Sequence, residues 1–218
     1  MKPLNVLICC EESGIVRRAF RGRGHNAWSN DLIDSDDASE YHLIMDCRTA
    51  IRNGNYYTDG AGWDLIIMHP PCDALAVSGN RWYGRGMRDH HKRLEAVDWT
   101  LDLWYLAINH AKHVALENPK SVIFPLLAKT NPVQWIQPYH FGHPEMKETG
   151  FALHNLPELS HVNPLTPPKP GTPEYIEWQK VWRMAPSDDR KKLRSRTYHM
   201  VADAMASQWG AYALQERE

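Results

Sequence analysis

The chain has 218 residues, a formal net charge of −1, 43% hydrophobic residues and four cysteines. This size and composition predict one α/β domain with a sizeable core, and the near-neutral charge confines any surface that binds nucleic acid to a local patch. No apolar run approaches the roughly 18 residues of a membrane span, no signal peptide precedes the first strand and no Cys-x-x-Cys spacing occurs, which predicts a cytoplasmic protein with reduced thiols and no metal site.

The first predicted unit comprises a strand over 5–10, a loop over 11–14, a helix from residue 15 and a strand over 25–30 that ends in Asp31. Such units bind adenosine-containing ligands, because the loop and helix N-terminus approach the ligand and the acid holds the ribose hydroxyls. A strand–helix–strand unit that binds no ligand and leaves Asp31 in solvent fits equally well, since no Gly-x-Gly-x-x-Gly is present. Residues 43–46 predict a third strand that ends in Asp46, at the same rim of the sheet.

Residues 63–72 contain a predicted buried strand, 65–68, which runs into Pro70-Pro71 and then Cys72. A continuous apolar run between turn residues is typical of a parallel strand that is covered on both faces. The prolines end the strand, so Cys72 lies at its carboxyl end, the rim where open α/β sheets bind ligands. A cysteine there is well placed to be a nucleophile, although a lone cysteine is more often a small buried hydrophobe.

A glycine-containing segment, residues 78–93, follows Cys72 and is rich in cations and aromatic rings. These residues are Arg81, Trp82, Tyr83, Arg85, Arg88, Lys92 and Arg93. Cations interleaved with aromatic rings suit phosphate neutralisation and base stacking, and thus nucleic-acid binding. A solvated flexible loop is the alternative, but the position straight after the candidate nucleophile favours a mobile lid over the substrate.

The next unit brings a second reactive side chain to the predicted rim. Residues 94–110 have helical apolar spacing, and residues 113–116 predict a buried strand that ends in Glu117-Asn118-Pro119. Two neighbouring strand–helix–strand units therefore each bring a reactive side chain and a proline to the sheet edge. This placement predicts that Cys72 and Glu117 lie close together.

The remaining sequence predicts further elements without an internal repeat. They are short helices over 121–127 and 174–182, a strand over 149–153, a proline-rich surface excursion over 165–173, a basic cluster over 190–196 and a closing helix over 198–214. The prolines of the excursion are not expected to join a central sheet.

A thiolate and a carboxyl at one rim suggest covalent catalysis on a pyrimidine. Carbon 5 of cytosine is a weak nucleophile, and addition of a thiolate to carbon 6 makes it carbanion-like. A protonated Glu117 would donate to N3 and accept from the 4-amino group, and desolvation is expected to raise its pKa toward the value that this role needs. The thiol of Cys72 would need cations or a helix dipole in order to ionise.

The order of these features resembles that of the DNA cytosine-5 methyltransferases, and more closely their short phage and prophage members. Pro70-Pro71-Cys72 is similar to the Pro-Cys nucleophile motif of the family, and Glu117-Asn118-Pro119 to its Glu-Asn-Val motif. The likeness covers nearly the whole chain, because residues 137–142, 147–149 and 194–206 also resemble segments of the short members.

The resemblance implies an α/β, Rossmann-like fold of the S-adenosylmethionine-dependent methyltransferases, with a mostly parallel seven-stranded sheet and helices on both faces. It implies S-adenosylmethionine as the cofactor and double-stranded DNA as the partner, in a bacterial cell or a phage-infected host. The implied cofactor-binding residues are Glu11, Glu12, Ser13 and Gly14 at the methionine part, Asp31 at the ribose, Asp46 at the adenine amino group, and Pro70.

The resemblance also implies catalytic roles. Cys72 would be the nucleophile, and Glu117 would hold the cytosine ring. Arg194 or Arg196 would stand in for the Arg-x-Arg pair of the family, which helps to hold the target base. The segment 78–93 would then close over DNA from which the target base has been flipped out.

The chain departs from the family pattern at the cofactor loop and in its size. The Phe-x-Gly-x-Gly-Gly loop appears as residues 10–15 with one glycine, and Asp73 stands where the family has glutamine. The length predicts a single catalytic domain over 1–218, in which 132–173 is a small recognition insert. The DNA sequence that the chain recognises is therefore expected to be short, unless sequence specificity is absent or is supplied by a partner.

Three alternatives remain open. A different enzyme class would keep Cys72 and Glu117 but modify free dCMP, or would use another one-carbon donor such as a folate. An amino-group methyltransferase fits less well, because its Asn/Asp-Pro-Pro-aromatic motif would need an aromatic residue at position 72. A degenerate methyltransferase fold that only binds DNA, as a phage anti-restriction factor, is disfavoured by the intact Cys72 and Glu117.

Overall fold

The computed structural model describes residues 2–185 and 187–217, and within these ranges seven strands form one sheet between two layers of helices. The strands are β1 (Asn5–Cys9), β2 (Asn26–Asp31), β3 (His42–Ile44), β4 (Leu65–Met68), β5 (His113–Pro119), β6 (Val133–Ile136) and β7 (Thr149–His154). They lie in the order β3-β2-β1-β4-β5-β7-β6. β1 to β5 run parallel, whereas β7 is antiparallel to both β5 and β6. The predicted mostly parallel α/β fold is therefore confirmed.

The helices connect these strands and close the chain. They are α1 (Ile15–Gly22), α2 (Cys47–Arg52), α3 (Gly54–Tyr57), α4 (Asn80–Tyr83), α5 (His90–Ile108), α6 (Phe124–Leu127), α7 (Pro173–Glu177), α8 (Lys180–Arg183), α9 (Asp188–Ser195), α10 (His199–Ala204) and α11 (Gly210–Gln215). Short 3₁₀ turns cover Val77–Gly79 and Pro138–Phe141, and a π-helical turn, Met205–Trp209, joins α10 to α11. Over the described part of the chain, no helix has both the length and the apolar character needed to cross a membrane.

The central strands are buried on both faces, as their continuous apolar runs predict. β1 and β4 are buried along their whole lengths. Successive side chains of β1 alternate between two apolar clusters, because a strand points its side chains to opposite faces. Val6 and Ile8 pack with α1 and the closing helix, whereas Leu7 and Cys9 pack with α2 and α5.

The segment 78–93, predicted as a loop, is partly helical. It contains α4, and α5 begins at His90 rather than near residue 94. The buried guanidinium of Arg93 ties the segment together by donating to the carbonyl oxygens of Ala74 (2.7 Å) and Ala76 (3.0 Å) and to the side-chain oxygen of Asn80 (2.6 Å). Sequence periodicity missed this order, because the bonds join residues that are 13 to 19 positions apart.

The predicted recognition insert, residues 132–173, contains two strands of the central sheet. β7 pairs with β5, and Phe151 lies opposite Glu117 in that ladder. Five of the six residues of β7 are buried. The predicted strand over 149–153 is therefore confirmed, whereas its place in the central sheet beside β5 was not predicted. The longest stretch of this range outside helices and strands is 155–172, which remains the candidate recognition segment.

Candidate active site

The turn after β4 is fixed by hydrogen bonds to both neighbouring strands. The backbone N–H of His69 donates to the carbonyl oxygen of Cys9 at 3.0 Å. The side-chain amide of Asn118 donates to the carbonyl oxygen of Pro70 at 2.9 Å, and Pro70 is buried. Because β1, β4 and β5 are parallel neighbours, these bonds hold the turn against the end of β5, at the carboxyl rim of the sheet.

Glu117 lies against His69, a residue that no sequence pattern had marked for the site. Its Oε2 is 3.1 Å from Nδ1 of His69, and the two side chains are 14% and 8% exposed. Burial raises the pKa of Glu117, but the hydrogen bond and charge of His69 and the charge of Lys147 lower it by more, so the net shift is downward. The expectation that desolvation would raise this pKa is therefore wrong for this arrangement.

Lys147 is a second residue of the site that the sequence pattern did not single out. Its ammonium donates to the carbonyl oxygen of Arg196 at 3.0 Å and lies 5.5 Å from the ring centre of Tyr198. Burial lowers its pKa, whereas the charges of Glu117 and Cys72 raise it. The ammonium therefore lies within electrostatic reach of both predicted catalytic side chains.

The Cys72 thiol is half-buried, and its surroundings both favour and oppose its ionisation. Burial and the charges of Asp73 and Glu117 raise its pKa, and Arg194 and Lys147 lower it by less. The cations that ionisation was expected to need are therefore present, but the net shift is upward. The thiol stays mostly protonated at neutral pH in this arrangement.

The two arginines of the predicted pair, Arg194 and Arg196, interact with different residues. The charge of Arg194 acts on the Cys72 thiol, whereas the guanidinium of Arg196 forms an ion pair with Asp36. Lys192, from the same helix as Arg194, pairs with Asp36 at 2.6 Å and with Glu12 at 3.1 Å. α9 and the residues after it therefore lie against the predicted cofactor loop.

Glu11, the first acid of the predicted cofactor loop, caps the N-terminus of α1. The Glu11 carboxylate is 5% exposed and accepts from the backbone N–H groups of Val16 (2.6 Å) and Arg17 (3.3 Å), in the first turn of α1. Gly14 has a φ of 63°, and a β carbon there would come within 2.4 Å of the Arg17 guanidinium. Ser13 accepts from the N–H of Ile15 at 3.3 Å. Glu11 and Gly14 thus shape the loop.

The buried Arg17 makes Asp37 a stability determinant, and Asp37→Asn is expected to destabilise the fold by about 2 kcal/mol. Arg17 is 1% exposed and donates to Asp37 at 2.6 Å and to Ser29 at 2.9 Å. Burial raises the pKa of Asp37, but hydrogen bonds from Arg17 and Arg18 hold it well below its usual range. A lowered carboxyl pKa stabilises the fold above the ordinary aspartate pKa, and this contribution is lost as the pH falls.

Urea unfolding at pH 7 and at about pH 3 measures both parts of this prediction. The gap in unfolding free energy between wild type and Asp37→Asn should narrow at the lower pH. Asp34→Asn makes the same change at an exposed aspartate of the same loop and is the matched control. Equal stability of Asp37→Asn and Asp34→Asn at pH 7 would contradict the prediction.

The predicted adenosine-contacting acids lie at the same rim, in different surroundings. Asp31 ends β2, pairs in register with Ile44, and accepts from the N–H of Leu32 at 2.7 Å. Asp46 caps α2 and forms an ion pair with Arg48 at 2.7 Å. The carboxylate of Asp46 is therefore engaged within its own helix turn.

Most of the predicted nucleic-acid-binding side chains are exposed along one segment. The exposed ones are Arg81, Trp82, Arg85, Arg88 and Lys92. Arg81 lies 5.0 Å from the ring centre of Trp82. Tyr83 is half-buried, and the guanidinium of Arg93 is buried and hydrogen-bonded within the segment, so Arg93 offers no free charge to a partner. Across the described ranges, no group of three or more His, Cys, Asp or Glu side chains is arranged to hold a metal ion.

The comparisons with known proteins find likeness only among solved structures. No protein-family model and no curated protein matches the sequence. The chain superposes on the Entamoeba histolytica methyltransferase EhMeth with a TM-score of 0.52 and 17% identity, over 76% of this chain and 58% of that one.

Two Dnmt2 structures also match. For S. pombe Dnmt2 the TM-score is 0.45 at 16% identity, over 85% of this chain and 57% of that one. For a Spodoptera frugiperda Dnmt2 mutant the TM-score is 0.42 at 17% identity, over 78% and 53%. The chain spans about half the length of the solved structures that it matches. The superposition on EhMeth shows that this chain has the fold of that methyltransferase.

Proposed function

We propose that the chain transfers a methyl group from S-adenosylmethionine to carbon 5 of cytosine in DNA, through a covalent adduct on Cys72. The observation that carries the proposal is the convergence of Cys72, Glu117, Lys147 and Arg194 at one rim of the sheet. Thiol, carboxyl and cations within electrostatic reach of one another are what addition to carbon 6 requires.

Each of these side chains has a role in the proposed reaction. The Cys72 thiolate adds to carbon 6, and Glu117 binds N3 and the 4-amino group. Lys147 and Arg194 lower the pKa of the thiol and so favour its thiolate. Because the thiol is only half-exposed, the target base must leave the DNA duplex to reach it.

The residues at the neighbouring rim fit S-adenosylmethionine. Leu32 and Ile33, directly after Asp31, are 73% and 54% exposed and offer an apolar surface to an adenine ring. Asp31 would hold the ribose hydroxyls, and Ser13 would contribute at the methionine end. When bound, the cofactor supplies an electrophilic methyl group. Glu11 and Gly14 contribute by shaping the loop.

The exposed cations after Cys72 are the proposed contacts to DNA phosphates. Replacement of both Arg85 and Arg88 by glutamine is expected to weaken DNA binding and to reduce the slope of log K against log salt by about 0.9 for each phosphate that is no longer neutralised. Fluorescence anisotropy across a salt series measures the slope. Lys112→Gln removes one exposed cation just before β5, at the opposite edge of the sheet, and should leave the slope unchanged. Equal slopes for wild type and the double variant would contradict the proposal that Arg85 and Arg88 contact DNA phosphates.

The proposed reaction is tested by product analysis after incubation with methyl-labelled S-adenosylmethionine. DNA digested to nucleosides should carry the label on 5-methylcytosine. Label on N4-methylcytosine would contradict the Cys72 mechanism, and label on free dCMP alone would replace DNA as the substrate. Binding of a folate with no binding of S-adenosylmethionine would point to another one-carbon donor.

A further inference from the structure

The segment 192–196, which includes the last turn of α9, contacts the cofactor loop with one of its sides. Lys192 forms ion pairs with Asp36 at 2.6 Å and with Glu12 at 3.1 Å, and the Arg196 guanidinium also pairs with Asp36. The backbone N–H of Asp36 donates to the carbonyl oxygen of Glu12 at 2.9 Å, so the two acids belong to one surface. Asp36 therefore joins two cations of the segment to the loop that follows β1.

The other side of the same segment contacts the proposed active site. Burial and nearby carboxylates raise the pKa of the Cys72 thiol, and the charge of Arg194 is the largest influence that lowers it. The backbone carbonyl oxygen of Arg196 accepts from the Lys147 ammonium at 3.0 Å. The segment thus supplies one of the two cations that favour the thiolate and holds the other one in place.

Helix geometry explains how one short segment reaches both places. Lys192 and Arg194 both lie in the last turn of α9, and residues two positions apart on an α-helix point about 200° apart around its axis. A side chain at position 192 that reaches the cofactor loop therefore leaves the side chain at position 194 on the opposite side. Arg196 follows the helix in an extended conformation, and its side chain and its carbonyl oxygen have different partners.

We propose that Asp36 is a positioning residue that anchors the segment 192–196 and so keeps Arg194 near the Cys72 thiol and the Arg196 carbonyl oxygen on Lys147, an inference that rests on the proposed function. In this role Asp36 acts through the two cations rather than on the reacting atoms. The same contacts give a common role to two sequence features, the acidic cofactor loop and the basic cluster over 190–196, because their opposite charges hold the loop and α9 together.

The ion pairs of Asp36 fix a position and add little to the stability of the fold. The side chains that form them are 22% to 44% exposed, and exposed ion pairs contribute little to stability. The hydrogen bond from Lys192 is the largest influence on the pKa of Asp36 and lowers it, so the carboxylate is charged at neutral pH. Loss of this charge should therefore release the segment without unfolding the protein, in contrast to loss of the Asp37 charge beside the buried Arg17.

Removal of the Asp36 charge has two effects on the Cys72 thiol, and they have opposite signs. Without any movement, the loss of a negative charge would favour the thiolate, because a nearby carboxylate opposes its formation. Movement of Arg194 and Lys147 away from the thiol would disfavour the thiolate. Slower reaction of the thiol therefore identifies the positioning effect, and faster reaction identifies the direct effect of the charge.

The test is the rate at which iodoacetamide alkylates Cys72 at about pH 8, where the rate follows the thiolate fraction. The full chain is used without DNA or cofactor, and mass spectrometry of the peptide that contains Cys72 measures the rate. Asp36→Asn should slow the alkylation by about 3- to 10-fold, and its thermal unfolding should stay close to that of wild type. Asp36→Glu keeps the carboxylate and should recover most of the rate. Asp34→Asn removes the same charge from an exposed position of the same loop and should not slow the alkylation.

A double-mutant cycle determines whether Asp36 acts through Arg194. Arg194→Gln alone should slow the alkylation of Cys72, and in this background Asp36→Asn should slow it further by less than about twofold. An Asp36→Asn effect of equal size in both backgrounds would mean a general loosening around the thiol and would overturn the proposal. Unchanged or faster alkylation in Asp36→Asn alone would overturn it as well.

These outcomes are distinct from a failure of the proposed function. Alkylation needs neither DNA nor a methyl donor, so unchanged alkylation in Asp36→Asn, together with a wild-type adduct on 5-fluorocytosine DNA, overturns the role of Asp36 alone. Absence of that adduct, in a protein whose Cys72 alkylation depends on Asp36 as expected, overturns the proposed function and supports the positioning of the segment by Asp36.

Discussion

Replacement of Cys72 by alanine is expected to lower methyl transfer to DNA by at least about 10⁴-fold, the scale seen when a covalent nucleophile is removed. Carbon 5 of cytosine becomes nucleophilic only after addition at carbon 6, so no other step of the proposed route compensates. DNA affinity should be unchanged, because the proposed phosphate contacts lie in the segment after Cys72. Single-turnover rates with excess enzyme measure the effect.

Cys9→Ala is the matched control for this variant. It removes a thiol from a cysteine that is fully buried in β1. This change should lower the stability of the fold and leave the methyl-transfer rate of the folded protein unchanged. A Cys72→Ala protein that methylates cytosine at the wild-type rate would contradict covalent catalysis.

The pH dependence of the wild-type rate follows from the same thiol. Burial, Asp73 and Glu117 raise the pKa of Cys72, so the reactive thiolate becomes abundant only above the usual range of cysteine. The limb of the rate that rises with pH should therefore persist beyond neutral pH, and it should be absent from Cys72→Ala.

Glu117→Gln is expected to lower the rate by about 10²- to 10³-fold, the scale of general acid catalysis. Glutamine keeps the shape of the side chain, and its amide still donates to N3 and accepts from the 4-amino group. It cannot pass on a proton, so the adduct would form without charge neutralisation at N3. Burst and steady-state kinetics with cytosine-containing DNA measure the loss.

The binding steps are the control for Glu117→Gln. Affinity for DNA and for S-adenosylmethionine should stay close to wild type, since the change is isosteric and the amide oxygen still accepts from His69. A variant with unchanged rate at neutral pH would mean that the cytosine ring is activated by another group.

The fold was predictable because its central strands carry their own signals. Residues 65–68 and 114–116 are uninterrupted apolar runs, and such runs are typical of a parallel strand that is covered on both faces. β6 and β7 were less evident, because their place at the far edge of the sheet depends on pairing with β5 rather than on any local pattern. The sequence alone therefore predicts the strand over 149–153 but not β6, and it assigns both to an insert over 132–173, whereas the structure pairs both in the central sheet.

The candidate site was predictable only where it lies at strand ends. Cys72 comes after β4 and Glu117 lies near the carboxyl end of β5, and because these two strands are parallel neighbours the sheet topology brings both residues to one rim. His69 also follows a buried strand directly, but its role was not inferred, because its contact with Glu117 joins residues that are distant in sequence. Lys147 lies at no strand end, and it joins the site through an equally distant contact with Arg196. The pairing of Arg196 with Asp36 joins residues 160 positions apart. Spacing along the chain does not encode such contacts.

The direction of the Glu117 pKa shift also could not be predicted from the sequence. Burial of the carboxyl was inferable from the apolar strand before it, and burial does raise the pKa. The opposing influences of His69 and Lys147 come from two other elements, and together they outweigh burial. The sign of the shift therefore depends on tertiary packing.

The central claim, covalent catalysis by Cys72 on cytosine in DNA, is tested most directly by mass spectrometry of the intact protein after incubation with 5-fluorocytosine-containing DNA and S-adenosylmethionine. The fluorine cannot leave as a proton does, so the final elimination is blocked and the enzyme stays attached. We expect a product with the summed mass of protein, DNA and one methyl group, which is absent for Cys72→Ala. A wild-type protein that binds DNA and cofactor but forms no adduct, or an adduct that persists in Cys72→Ala, would contradict the account.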